Sequence, residues 1–436
     1  MRTRAKGFIS SVRIAYLVGF VLLVTGCTKC LVLHEPESGP DCRGTVVAYR
    51  VGGAGPYLQP VAEQDTGCIP RSVVSDAAGR FVLVLNVGSS NVSVYRVDGE
   101  SGGLTQVAGS PFYVGGDLTS IVMHPSGSWV YLNNDEASNV FGFRLESETG
   151  RILPAKNSPY GRQTQSVPLV ITPSGKFAYL ISRRDNTMVP FAHNADNGAL
   201  KGVGDVATTG AFPQGAVATR SGKFLYVVNK GAGTVSGYVI EAKSGALSPV
   251  PGQPVEAGWN SNALAVDPTS RYLYVANRTS GDVAAFTIHE ETGSLKAVAG
   301  SPFRAGNGAF WLTVHPSGKY LYVVNQEGAS VSAYGIAADS GALTPLSGSP
   351  YSLGGEPGRV DMDGEGHTLY VLSPSAGKVF ALAIDPVTGV LTQATGSPYK
   401  TGNDPEGLAV DPKGRSVYIT NTASGVCRTS LLGKPN

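Results

Sequence analysis

The chain is poor in charge. Asp, Glu, Lys and Arg make up 15% of its 436 residues, against about a quarter in ordinary soluble domains. It holds three Trp, four Met, five Cys and six His. Beyond the N-terminus no apolar period of 3.6 residues is sustained, which excludes long amphipathic helices. No group of Cys, His or acidic residues has metal-ligand spacing, so no metal and no cofactor is expected. The one abundant residue is Gly, with 57 copies. Few charges and many glycines fit short strands joined by tight turns.

Those strands recur. HPSGKYLYVVN (315–325) has seven relatives: DAAGRFVLVLN (76–86), HPSGSWVYLNN (124–134), TPSGKFAYLIS (172–182), TRSGKFLYVVN (219–229), DPTSRYLYVAN (267–277), DGEGHTLYVLS (363–373) and DPKGRSVYITN (411–421). Their starts lie 48 residues apart, with one interval of 47, the period of an array or a propeller. The unit 263–303 shows the design. An apolar strand, Ala263 to Val266, meets an Asp-Pro turn. A second strand, Tyr272 to Asn277, alternates aromatic and branched residues. A third covers Asp282 to Ile288, and Leu295 to Val298 is the fourth. Four units close on Gly-Ser-Pro-aromatic, at 109–112, 300–303, 348–351 and 396–399, and 157–160 is the near copy NSPY. Such a sheet cannot cover both of its apolar faces alone, so the expected fold is all-β, a β-propeller of four-stranded antiparallel blades. Strands are lettered A to D from the axis outward. Thr45–Val51 and Tyr57–Ala62 supply the C and D strands of the last blade, giving eight blades and a ring closed by the N-terminal strands. Seven blades is the alternative, because Val426–Leu432 also reads as a C strand.

The N-terminus reads as a targeting segment. Arg2, Arg4, Lys6 and Arg13 precede an apolar run, Ile14 to Val24, that is short for a membrane span. It ends in Val24-Thr25-Gly26-Cys27, which resembles the lipobox of bacterial lipoproteins. The resemblance implies a signal peptide over 1–26, a lipid on Cys27 that anchors the protein to a membrane, and a tether over 27–44. With Thr28 in place of Asp it implies the outer membrane of the cell envelope. Loss of residues 1–26 removes four positive charges and no negative ones, taking the net charge from +2 to −2, so no attraction to nucleic acid is expected.

An exported chain with Cys30, Cys42, Cys68 and Cys427 can form two disulfides in three ways. Ring closure brings Cys427 toward the N-terminal strand pair, and the expectation is that Cys42 or Cys68 bonds to it as a clasp over the ring. Local pairing, or none, is the alternative.

Antiparallel blades put the loops entering strand A and those joining B to C on one face. The A–B and C–D turns fall on the other. His124, His315 and His367 fall in A–B turns, and His193 and His289 in C–D turns, so no Ser-His-Asp or Cys-His set forms on the first face. Departure from the repeat then marks candidates. Four residues before the A–B turn the units read Ser72, Ser120, Pro168, Gly215, Ala263, Trp311, Arg359 and Gly407. Trp311 and Arg359 stand out as a ligand clamp in adjacent blades, or as a packed plug, with Trp259 and Phe310 in the same loops. After strand B the units read Val87, Asp135, Arg183, Lys230, Arg278, Gln326, Pro374 and Thr422. Arg183, Arg184, Lys230 and Arg278 form an arc of cations suited to a carboxylate or phosphate. Glu327, Glu356, Asp404 and Glu406 share that face.

TyrValValAsn (226–229, 322–325), TyrValAlaAsn (274–277) and TyrIleThrAsn (418–421), with the Pro-Ser-Gly-Lys turns, resemble YVTN repeats. Residues 45–432 as a whole resemble the lactonase-type β-propellers, which include 6-phosphogluconolactonases and carboxymuconate lactonizing enzymes. The resemblance implies an active site with a His at a strand-A entrance, Arg and Glu in B-to-C loops, and a second Arg. Arg278 is similar to that last residue, and Arg183 or Arg184 stands in for the first. Gln165 to Pro168 carries no His, and Lys230 takes the place of the Glu. Two functions follow. One is a binding propeller for an anionic small molecule, a glycan or an envelope protein. The other is a lactone hydrolase with Glu327 or Glu406 as base.

Overall fold

Strand formation follows from the alternation within each unit. All six residues of Tyr272–Asn277 are buried, so the strand needs a partner on each edge and cover on each face. Ser261–Val266 and Asp282–Ile288 supply the edges, antiparallel, with Leu264 and Ala284 both opposite Val275. Leu295–Ala297 adds the fourth strand. The turn into strand B is held by Asp267, whose carboxylate accepts from the amides of Arg271 and Tyr272 at 2.7 Å each. In the sixth unit His315 fills that place. Its Nδ1 accepts from the Ser317 amide at 3.0 Å and its Nε2 donates to the carbonyl of Gly366 at 2.9 Å.

A computed structural model describes residues 42–52, 57–135, 139–161 and 169–422. They belong to one contact unit, Pro36–Val426; a second, Met1–Glu35 with Cys427–Asn436, lies outside the described residues. Cys27, Cys30, Cys427 and the run Val426–Leu432 therefore also lie outside them.

Eight antiparallel sheets repeat this plan. Blade 1 starts at Pro70–Ser75 and blade 8 at Pro405–Val410. The sheet order Leu58–Asp65, Thr45–Val51, Ser416–Asn421, Pro405–Val410 completes blade 8 with the N-terminal strands. Eight apolar clusters, each shared by two neighbouring sheets, run once around the ring. The one that closes it joins Val46, Ala48 and Tyr418 of blade 8 to Val82, Val84 and Tyr95 of blade 1. The structure is an eight-bladed β-propeller.

Strand D differs from the expected single strand. In most blades it is split: Leu104–Gln106 and Phe112–Tyr113 both pair with strand C of blade 1. The Gly-Ser-Pro motif spans the break. Its Ser hydroxyl takes over the lost ladder position, accepting from a strand-C amide at 2.8–3.0 Å at Ser110, Ser158, Ser301, Ser349 and Ser397.

Neighbouring blades are also locked near the turns. Tyr131, Tyr179, Tyr226, Tyr274 and Tyr322 each donate a buried hydroxyl to a glycine carbonyl in the next blade's C–D turn. The hydroxyls of Tyr370 and Tyr418 have no such partner, and blade 1 has Leu83 at this position. The joints without this lock are thus 7–8, 8–1 and 1–2; at 7–8 and 8–1 the strand-C hydroxyls of Tyr49 and Tyr95 donate instead to the carbonyls of Lys400 and Asp65. Clefts of about 360 and 240 Å³ open at 7–8 and 1–2, between A–B turns.

The expected clasp to Cys427 is not what forms. Cys42 bonds to Cys68. The two flank the hairpin of Thr45–Val51 and Leu58–Asp65, whose open end is held by Thr45 opposite Asp65 and by the Gly44 amide donating to Gly67 at 3.0 Å. Hairpin register alone brings these cysteines together. The bond secures the inserted strand pair, not the ends of the chain.

One aliphatic column carries an imidazole. At the end of strand C the blades have Val97, Leu145, His193, Ile240, Ile288, Ile336, Ile384 and Val51. His193 stacks on His124 of blade 2 at 4.1 Å and meets the edges of Trp129 and Tyr131. Burial, and then the charge of His124, push its pKa down to about 4. The unfolded chain therefore takes up this proton at higher pH than the fold does. The contribution is intact above pH about 6.5 and is lost as pH falls toward 4.

Two outcomes follow. Replacing Cys42 and Cys68 with Ser lowers stability in chemical denaturation by about 3 kcal/mol, the entropy of a loop of this size; an unchanged midpoint would show that the hairpin needs no bond. His193→Leu flattens the decline in melting temperature between pH 6.5 and 4 relative to wild type, and an equally steep decline would assign acid sensitivity elsewhere.

Candidate functional site

The entrance to strand A is built by a bulge. Register slips by one residue between Pro70 and Ser72, Leu118 and Ser120, Pro213 and Gly215, Ser261 and Ala263, Ala309 and Trp311, and Pro405 and Gly407. A bulge bends the strand and re-aims one side chain. The re-aimed residues are Arg71, Thr119, Gln214, Asn262, Phe310 and Glu406. Just before them, Ile69, Phe212, Asn260, Gly308 and Asp404 adopt positive φ, a strained choice for Ile and Phe that the bulge imposes. Their carbonyls accept from the first amide after strand B: from Val87, Lys230, Arg278, Gln326 and Thr422 at 2.8–3.3 Å. The strand-A entrance and the B-to-C loop of a blade are thus tied together, and both departing columns gather on one rim of the ring.

Cations converge there. Arg183 is half-buried, and burial lowers its pKa; Asp135 opposes that shift and Arg71 adds to it. Arg359 is accessible to water yet crowded by protein, as in a channel. Burial again lowers its pKa, with Glu406 opposing and Arg71 adding. Blades 3 and 7, which carry Arg183 and Arg359, face each other across an eight-membered ring. A blade-1 side chain that feels both charges must project toward the axis. Burial, then Arg278 and Arg183, lower the pKa of Lys230. Arg71, Arg183, Lys230, Arg278 and Arg359 therefore form one electrostatic group.

Aromatic rings support the arc. The Arg183 guanidinium lies 6.0 Å from the Phe212 ring centroid, and that of Arg278 5.4 Å from Phe310. In both cases the ring comes from the next blade's entrance. Among the described residues no cation–π contact joins Arg359 to Trp311. Trp311 and Trp259 are 45% and 75% exposed. Arg184 is exposed as well.

The acids differ in kind. Glu327 accepts from Nε of Arg278 at 3.2 Å, largely in solvent, which ties up this candidate base. Glu406 is the bulge residue of blade 8 and faces Arg359. The acid that the sequence reading missed is Asp361. Strand A runs Arg359–Met362 in blade 7, and the column through Asp361 otherwise holds Val74, Val122, Val170, Val217, Ala265, Thr313 and Ala409. Its carboxylate accepts from the amides of Val410 and Met362 at 2.8 and 2.9 Å. The next amides, of Asp411 and Asp363, donate to strand B. By alternation those of Val410 and Met362 point to the axis. Asp361 thus lies on the channel wall, two residues below Arg359. Burial raises its pKa, the two amides oppose the rise, and the charge of Asp363 adds to it.

Arg71 was also missed. Its signal sat in the column Arg71, Thr119, Val167, Gln214, Asn262, Phe310, Gly358 and Glu406, one place from the column read above. Pro168 and the segment 165–167 lie outside the described residues. Among the described residues no group of three or more His, Cys, Asp or Glu is placed to hold a metal ion.

Comparison with known proteins concerns the fold. Residues 42–117, 120–259 and 250–362 match the family model described as lactonase, 7-bladed β-propeller. A putative 6-phosphogluconolactonase from Bacteroides fragilis is 22% identical over 71% of this chain and 95% of its own, with a TM-score of 0.52. One from Bacteroides uniformis is 15% identical over 87% and 99%, with a TM-score of 0.58. The periplasmic gluconolactonase of Pseudomonas aeruginosa is 16% identical over 84% and 98%, with a TM-score of 0.54. No curated protein matches.

Convergence of the cations can be measured. Arg278→Ala raises the pKa of Lys230, followed by NMR of its ε-carbon, because a like charge is removed. An unchanged titration would place the two cations too far apart to hold one ligand.

Proposed function

The chain belongs to the family of lactonase β-propellers, and on that premise we propose that it holds an anionic small molecule at the mouth of its central channel. What supports this reading is that the charge of Arg71 acts on both Arg183 and Arg359, whose blades lie on opposite sides of the ring. Like charges brought together at a desolvated mouth repel one another, and an anion relieves that repulsion while accepting from several guanidinium groups. Arg278 and Lys230 extend the contact along the rim. Trp311 and Trp259 offer apolar faces beside it. The neighbouring structures named for lactonases agree in fold, and the family's expected acid–base residues are absent from the matching positions. Binding is therefore the primary reading.

A second reading, hydrolysis of a lactone, is favoured by Asp361. A carboxylate with a raised pKa on the channel wall below Arg359 can take a proton from an attacking water. Glu406 is the alternative base. We further propose that the protein is exported and lipid-anchored at Cys27 on the outer membrane of the cell envelope, which rests on the resemblance of residues 24–27 to a lipobox.

With 6-phosphogluconate as probe, Arg71→Ala and Arg359→Ala each weaken binding by roughly tenfold or more in calorimetry, and Lys413→Ala on the opposite face leaves it unchanged. Equal affinity in all three variants would remove the channel mouth as the site. If gluconolactone or 6-phosphogluconolactone is turned over, Asp361→Asn abolishes turnover and retains binding; full turnover in that variant would discard Asp361 as base.

A further inference from the structure

The rim carries a pattern that a single small anion does not use. From blade 3 to blade 6 it reads Arg183, Phe212, Lys230, Trp259, Arg278, then Phe310 with Trp311, a cation and an aromatic in alternation. Each junction is physical. Arg183 lies over Phe212, and the Lys230 amide donates to the Phe212 carbonyl at 3.0 Å. The loop after Lys230 bonds to the segment just before Trp259, through the Gly258 amide to the Gly233 carbonyl at 3.1 Å. The Arg278 amide donates to Asn260, the residue after Trp259, and its guanidinium lies over Phe310. Phe212, at 43% exposure, joins the two Trp as large apolar side chains open to solvent.

We propose that this crescent binds an extended acidic polysaccharide, with sugar rings on the aromatic faces and uronate carboxylates on the cations between them. This deepens the reading of the same face as an anion site and rests on it. Three features select a glycan over other polyanions. The cations are partly neutralised by carboxylates, Glu327 on Arg278 and Asp135 beside Arg183, which is unfavourable for a densely charged nucleic acid. Those carboxylates accept from hydroxyl groups, which a sugar has in excess and a polyphosphate lacks. The exposed indole of Trp259 presents a flat apolar face and no enclosing pocket, whereas protein partners anchor on aromatics in desolvated pockets. The alternation also runs along an arc, so one strand of polymer meets each type of contact in turn.

The test is titration of the exported form with galacturonate and with oligogalacturonates of increasing length, read by tryptophan fluorescence and calorimetry. Affinity is expected to rise with length and then level off when the crescent is filled. Trp259→Ala and Trp311→Ala each weaken the longer oligomers roughly tenfold, and Tyr113→Ala, an exposed aromatic on the outer rim of blade 1, leaves them unchanged. Affinity that does not grow with length, or that ignores both Trp substitutions, overturns the proposal. So does equal or tighter binding of poly-glutamate or oligo-thymidylate. If 6-phosphogluconate binds and no oligogalacturonate does, only the polymer reading fails. If neither binds, the anion site fails with it.

Discussion

Everything in this molecule depends on one constraint: each small sheet has two apolar faces, and only another sheet of the same kind can cover them. Eight shared clusters meet that demand, and the eighth exists because the chain's first strands lie down beside its last. Closure from two ends of the chain leaves a record. The hydroxyl locks from Tyr131 through Tyr322 are continuous from blade 2 to blade 7, and are missing at joints 7–8, 8–1 and 1–2. At the two joints that flank blade 8 other contacts take over, nearer the axis. Thr420 donates to the carbonyl of Pro70 in blade 1 at 2.7 Å, and Asp361 caps an amide of blade 8. The disulfide adds its constraint to the inserted hairpin. The seam is held from the centre and from its own strand pair, while the joints from blade 2 to blade 7 are also held near their turns.

The same constraint explains why the site lies where it does. Side chains that cover faces are fixed by the neighbouring blade, so they repeat. Side chains at the bulged entrance to strand A and just past strand B cover nothing, so they are free to differ. Hydrogen bonds between those two places pull them to one rim. Arg71, Arg183 and Arg359 can therefore crowd together without disturbing a single inter-blade cluster. Asp361 is the exception, a charge in a column that is otherwise apolar or small. It is tolerated because two axis-facing amides meet its oxygens.

Much of this was legible in the chain. A period of 48 residues, the alternation of YLYVVN and the turn chemistry of His-Pro-Ser-Gly and Asp-Pro-Thr-Ser led to the blades. The strand pair at 45–62 led to ring closure and to the eighth blade. The columns through Arg359 and through Arg278 are confirmed in register by pairing to Leu372 and by the shared hydrogen bond at the entrance. What was not legible has physical causes. A bulge shifts the side chain that faces the axis by one place, so Arg71 sat one place from the column in which departures from the repeat were read. The partner of Arg278 is decided by the approach of two loops, and it proved to be Phe310 and Glu327. Cys42 or Cys68 was expected to bond to Cys427 across the ring, but hairpin register set the distance between the two first. Phe212 in a left-handed backbone had no signal at all, because nothing in the sequence marks a strained entrance.

Membership of the lactonase propellers fixes the fold and leaves the chemistry to the site. The family model is described as seven-bladed, and this chain matches it in segments that overlap at 250–259. An added blade changes more than length. In a ring of eight, every blade has one directly opposite; in a ring of seven, none does. Arg183 and Arg359 form such an opposed pair here, with Arg71 midway between them. A residue set that converges in a seven-membered ring cannot keep its distances when an eighth sheet widens the axis. What the wider ring offers in return is a longer rim, and it is on that rim that cations and aromatics alternate.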